Sequence, residues 1–88
     1  MKPPKLIHKV EPKYTEAAKD AKIEGAVVVS LVVGTDGRAR DMKIVQSLDP
    51  GLDNNALEAI TQWVFEPGAK GGVAVAVAAK IEVNFRLK

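Results

Sequence analysis

Few side chains in this sequence are of types that do chemistry, and their spacing keeps them apart. The single histidine, His8, lies among Pro3, Pro4, Pro12 and the lysines Lys2, Lys5, Lys9 and Lys13. It reads as an exposed residue of a lead-in segment rather than as a ligand or base. Ser30 and Ser47 have no other histidine to activate them, and neither sits in a Gly-x-Ser-x-Gly elbow. Asp49 with Asp53, or Glu58 with Glu66, would be carboxylate pairs, but they fall at helix caps and on solvated helix faces. Gly34-Thr-Asp-Gly37 and Gly68-Ala-Lys-Gly-Gly72 lack the spacing of a phosphate loop. With no cysteine, disulfides and zinc sites of the cysteine type are excluded. The expectation is a protein that is not an enzyme, with no cofactor and no metal site.

The chemistry that remains belongs to the backbone. From Val73 to Leu87 the odd positions are Val73, Val75, Val77, Ala79, Ile81, Val83, Phe85 and Leu87, while the even ones are small or polar. Period-two alternation of this kind specifies a β-strand with one apolar face. At about 3.3 Å per residue such a strand would reach roughly 50 Å, against about 5–6 residues for an ordinary strand. No other apolar run matches it, so part of its backbone is expected to lack a partner. That part is either a docking edge or a bent, frayed overhang that pairs with nothing.

The elements that position this strand fit one small domain. A chain of 88 residues buries only about 60–65% of its unfolded surface. A net charge of +2 with dispersed basic residues does not imply nucleic acid. The lysines of the first 13 residues read as a solvated arm, with an anionic partner as the lesser alternative. No run of 18 apolar residues exists, and Met1-Lys-Pro-Pro-Lys5 is not a signal peptide.

Residues 1–13 are expected to be an extended, linker-like lead-in, and residues 14–88 the domain proper. Thr15 can cap a short helix over Glu16–Lys22, and Gly25 opens a strand. Val27, Val29, Leu31 and Val33 define that strand's inner face, with Val28 and Val32 making its second face apolar, as in a central strand. Asp36-Gly37 marks a hairpin, expected as a type I′ turn with Gly37 at positive φ. The return strand covers Arg38–Gln46, with Met42 and Ile44 inward and a bulge near Ala39 and Arg40. Asp53 is expected to cap a second helix over about Asn54–Val64 that buries Ala56, Leu57, Ile60, Trp63 and Val64. Pro67 stops it near Phe65, and Gly68, Gly71 and Gly72 form a loose connection. The order is α-β-β-α-β, an α+β fold. It predicts a three-stranded antiparallel sheet of order 2-1-3, with two helices packed on one face and the last strand at an edge.

These motifs resemble the C-terminal domain of the TonB family of energy transducers over roughly residues 8–88. The resemblance rests on Pro12-Lys-Tyr14 with Ala18, Ile23-Glu-Gly25-Ala-Val27, Gly34-Thr-Asp-Gly-Arg38, Val45-Gln-Ser47 and Leu52-Asp53. Trp63-Val-Phe65-Glu-Pro67 is its most specific element, and Val83-Asn-Phe85-Arg-Leu87 closes it. Thr15 stands where the family usually has proline, and Gly72-Val-Ala-Val75 lacks the proline often found there. The family's membrane anchor and proline-rich spacer are missing, so the chain is expected to be an excised periplasmic domain, with Pro3-Pro4 as the spacer's stub.

The resemblance implies a function. In the family an inner-membrane motor complex acts through the anchor, and the C-terminal domain grips an extended segment of an outer-membrane transporter by strand addition. Carried over, the partner-binding edge is Val73, Ala74, Val75, Ala76, Val77, Ala78 and Ala79, helped by Val10, Glu11 and Pro12. Tyr14, Gly25, Gly37, Trp63, Phe65, Pro67 and Phe85 become structural residues. The competing reading is self-association, a homodimer through the same strand. Nucleic-acid binding would need aromatic side chains on the open sheet face, which Tyr14, Trp63, Phe65 and Phe85 do not supply. No membrane insertion of these residues is expected.

Overall fold

The alternation in residues 25–33 sets the architecture. In the structure, a computed structural model that describes residues 2–87, Val27, Val29, Leu31 and Val33 are buried, while the residues between them are half-buried. Met1 of the expected lead-in and Lys88 of the expected domain lie outside the described residues. In chain order the elements are β1 (Lys5–His8), α1 (Glu16–Asp20), β2 (Gly25–Val33), β3 (Ala39–Gln46) and α2 (Pro50–Thr61). After these come β4 (Val64–Glu66), β5 (Gly68–Lys70), β6 (Val73–Val75) and β7 (Val77–Phe85).

The main sheet has the order β3-β2-β7, antiparallel throughout. This is the expected three-stranded sheet with its last strand at an edge. Ala18 of α1 and Leu52, Ala56 and Ile60 of α2 join the four buried residues of β2, so both helices cover the same sheet face. Burying each of the valine, leucine and isoleucine side chains among these contributes about 1.5–3 kcal/mol, which holds a core this thin together.

Thr15 caps α1 as expected, its hydroxyl accepting from the Ala18 N–H at 3.0 Å. The helix is shorter than expected and closes at Lys22 rather than at Gly25. Lys22 takes φ 53°, and the Ile23 N–H reaches back to the Ala18 carbonyl at 3.0 Å. That is a Schellman closure with lysine in the left-handed position, where glycine is the usual occupant.

The second helix starts earlier than expected. Asp49 is its N-cap, accepting from the Leu52 N–H at 3.2 Å, and Pro50 occupies the first turn. Asp53 is therefore not the cap. It sits nine-tenths buried in the first turn and gathers the loop before the helix. Trp63 and Val64 lie beyond the last helical turn rather than on it, although Trp63 is buried as expected.

The first hairpin also differs in turn type. Gly37 has φ 78°, as expected, but Thr35 and Asp36 do not take the positive φ that a type I′ turn requires. The Gly37 N–H bonds to the Gly34 carbonyl and the Gly34 N–H to the Arg38 carbonyl, so Thr35-Asp36-Gly37 is a three-residue loop ending in a left-handed glycine. The Asp36 carboxylate accepts from the Arg38 N–H and the Arg40 guanidinium. Those hydrogen bonds, the one from the Arg38 backbone first, hold its carboxyl below the ordinary carboxylate value.

Two small ladders lie outside the main sheet. The lead-in is extended but not loose: β1 pairs with β4, and Lys2 bridges to Ala69. The glycine-rich connection is not loose either. Gly71 and Gly72 have φ 58° and 81°, the backbone of a type I′ turn, and they join β5 to β6 as a hairpin.

Candidate functional site: an open strand edge

Pairing accounts for one side of β7 and not the other. Nine consecutive residues of β7 match nine of β2 one to one, from Gly25↔Phe85 to Val33↔Val77, with no irregularity. β2 lies between β3 and β7, so the outer edge of β7 has no strand partner among the described residues. Its N–H and C=O groups alternate between β2 and that free edge.

The opposite edge of the sheet is different. The ladder of β3 with β2 shifts register between Val28 and Val29 and again between Ser30 and Val32, and Asp41 takes φ 51°. Bulges of this kind bend and twist an edge so that a further strand cannot follow it. They also let Ala39, Met42 and Ile44 all pack toward the core, which answers the phase mismatch visible in the sequence. One edge is blunted and the other is left regular.

The expected overhang does not exist in the form anticipated. The long alternating run breaks at Ala76, and Val73–Val75 pair with Gly68–Lys70 in the register Gly68↔Val75, Ala69↔Ala74 and Lys70↔Val73. The reason lies in the Gly71-Gly72 turn, which folds the chain back and supplies the partner that the core strands do not. Of the expected gripping residues, Val77, Ala78 and Ala79 lie on β7, Val73, Ala74 and Val75 on β6, and Ala76 between them. β6 too has a single strand partner among the described residues, and Val73 remains 66% exposed. The expected gripping residues end at Ala79, whereas the regular free edge runs on through Lys80, Ile81 and Glu82. The uninterrupted alternation to Leu87 was the available signal.

Val10, Glu11 and Pro12 stand elsewhere. With Lys13 they form one wall of a cleft of about 240 Å³ whose other wall is Asn55, Glu58, Ala59 and Gln62 of α2 and its cap. No residue of 73–79 lines it. Asn55 donates to the Lys13 carbonyl at 2.7 Å, and the Trp63 indole donates to the Val10 carbonyl at 2.8 Å. The cleft is thus held by the helix rather than by the strand edge.

The residues expected to be structural are placed accordingly. The Tyr14 hydroxyl donates to the Ile23 carbonyl at 2.6 Å, and its ring meets Phe85 edge-on at 5.5 Å between centroids. Phe65 is buried in β4, its N–H donating to the Gly37 carbonyl at 2.8 Å, and Trp63 lies tilted against it. Leu48 fills the space beside Gly25 where a Cβ would stand. Pro67 separates β4 from β5, so neither short strand continues into the other.

Ionisable groups do not converge. Among the described residues no group of three histidine, cysteine or acidic side chains could hold a metal ion. Burial of Asp53 opposes its ionisation, but hydrogen bonds from the Ser47 hydroxyl and the Leu48 and Asp49 N–H groups outweigh that and hold its carboxyl below the ordinary value. That is a structural duty, because every donor belongs to the loop it fastens. No helix among the described residues is long and apolar enough to cross a membrane.

This combination of a helix-covered three-stranded sheet with one open edge defines a small α+β domain. Residues 10–87 match the family model described as the Gram-negative bacterial TonB protein C-terminal, and the chain belongs to that family. Protein TonB of Vibrio cholerae is 34% identical over 88 residues, covering 99% of this chain and 36% of that protein. Protein TonB of Pseudomonas aeruginosa is 32% identical over 78 residues, covering 88% of this chain and 23% of that protein. The chain therefore spans about a third or less of the length of these relatives. A solution NMR structure of the Pseudomonas aeruginosa TonB CTD superposes with a TM-score of 0.80 at 30% identity, over 97% of this chain and 87% of that one.

Proposed function

We propose that this domain is the peptide-gripping part of a periplasmic energy transducer. In this reading it adds an extended segment of an outer-membrane transporter as a further strand and passes force to it, with no catalysis of its own. The motor complex of the inner membrane would act through the rest of the transducer. The grip comprises Val73–Ala79 and continues along β7 to Glu82, with Val10, Glu11 and Pro12 as a secondary contact. The observation that carries this reading is the contrast between the two sheet edges. β3 is bulged twice, while the outer edge of β7 is regular, free of proline and without a strand partner among the described residues.

A proline scan over residues 73–81 with transporter-derived peptides tests it. Proline removes one N–H donor, so alternate positions should lose binding while circular dichroism shows a retained fold. Ala78→Ser should bind nearly as before, since the contact is made by the main chain. Folded proline variants that all bind with unchanged affinity would remove the grip from this edge.

A second reading, self-association, is favoured by one observation. An antiparallel pair of β7 strands centred on Ile81 would set Lys80 of each copy opposite Glu82 of the other, as the order Lys80-Ile81-Glu82 allows. Light scattering over a range of concentrations at low and high salt decides it. A monomer under all those conditions removes the homodimer.

A further inference from the structure

Strand addition by itself is indifferent to sequence, because main-chain groups are the same at every residue. The side chains flanking the free edge of β7 are not indifferent. On the open face of the sheet the register places Lys80 beside Ser30 and Glu82 beside Val28, so neither faces an opposite charge across the ladder. Both are exposed, and no acidic or basic group lies within ion-pair distance of either among the described residues, where the ion pairs are Lys9–Glu11, Lys19–Glu16 and Arg40–Asp36. Two residues apart on one strand, the two residues have Cα atoms roughly 7 Å from each other along the edge. On the helix-covered face the same stretch is apolar and incompletely covered. Val77, Ala79 and Ile81 are only half-buried, whereas Val83 and Phe85 further along are 5% and 2% exposed.

We infer that β7 selects among extended segments by this pattern. The favoured segment is apolar at the alternate positions that lie beside Val77, Ala79 and Ile81. On the intervening positions it carries an acidic residue beside Lys80 and a basic residue beside Glu82. This inference rests on strand addition at β7 and deepens it by naming the chemistry of the occupant. Opposite charges at directly facing positions of a ladder stabilise and like charges destabilise, so segments with the two charges exchanged are disfavoured. An antiparallel occupant reads basic-apolar-acidic from its N-terminus, and a parallel one reads acidic-apolar-basic.

The test uses three peptides that differ only at the two intervening positions: Lys then Glu, Glu then Lys, and Ser at both. Affinities are measured by calorimetry at a protein concentration where light scattering shows a monomer. One charged order should bind on the order of 3- to 10-fold more tightly than the other, with serine between them. The gap should narrow as salt is raised. In the double variant Lys80→Glu/Glu82→Lys, shown by circular dichroism to be folded, the preference should reverse. Equal affinity for all three peptides, or a preference that survives the exchange, overturns the inference and leaves strand addition standing. Binding of none of the three, serine included, removes strand addition at β7 and this inference with it.

Discussion

The indole N–H of Trp63 donates to the backbone carbonyl of Val10 at 2.8 Å, joining residues 53 positions apart. Through this bond the segment after α2 fixes the lead-in, and Lys9 lies with its ammonium 5.8 Å from the centre of the same ring. Trp63→Ala should cost about 3–5 kcal/mol, since it empties a core site and frees the lead-in together. Trp63→Phe should cost about 1–3 kcal/mol, chiefly from the carbonyl left without its donor. Urea unfolding measures both. A near-native midpoint for Trp63→Ala would mean that the ring is not part of the core.

Gly37 meets Phe65 where no side chain fits. A Cβ built on Gly37 would lie 2.2 Å from the Phe65 carbonyl oxygen, and the residue is already at φ 78°. Gly37→Ala should therefore destabilise by more than about 1 kcal/mol, well beyond an ordinary surface change. Thermal unfolding reads this directly, and an unchanged midpoint would refute the close approach.

Lys22 offers the reverse experiment. Holding a residue with a side chain in the left-handed region costs roughly 1–2 kcal/mol, part of which glycine gives back through its greater unfolded freedom. Lys22→Gly should thus raise stability by up to about 1 kcal/mol. A drop in the thermal midpoint would show that the lysine side chain contributes something that the backbone argument omits.

Asp53 makes stability depend on acid. Its folded carboxyl is held below its unfolded value, so its contribution is present above about pH 4 and is lost as pH falls through the folded value. Asp53→Asn should cost about 1.5–3 kcal/mol at neutral pH, because hydrogen bonds to a charged acceptor become bonds to a neutral one. The difference from the parent should shrink below about pH 4. A gap that stays constant from pH 7 to 3 would mean that the charge contributes nothing.

Much of the fold was legible because burial imposes a period. Val27, Val29, Leu31 and Val33 declared β2, the alternation to Phe85 declared β7, and the apolar positions of α2 declared its buried face. What escaped the sequence was pairing without burial. Lys5–His8 are exposed at all four positions, so nothing in their pattern marks a strand, and β1 exists because β4 offers it an edge. The cap of α2 was ambiguous because Asp49 and Asp53 both suit the role, and only the position of Pro50 separates them. At the candidate site the residue types were readable, but the break at Ala76 was not, since Val-Ala repeats run straight through it. The break comes from Gly71-Gly72, a turn whose partner strand has only three residues.

The ladder of β1 with β4 also has a mechanical direction. Lys2 lies at the end of the arm, against Ala69, and pairing runs back from there to His8 and Val64. Tension drawing Lys2 away from Ala69 would meet these pairs one after another and peel them apart like a zipper. A strand lying along β7 and pulled along its own length would be loaded in shear, with all its hydrogen bonds sharing the tension. Peeling yields first, because each bond in turn bears the whole load. The arm would then pay out as slack before a strand held on β7 was released, a sequence that stretching single molecules with a bound peptide would register as a short extension preceding release.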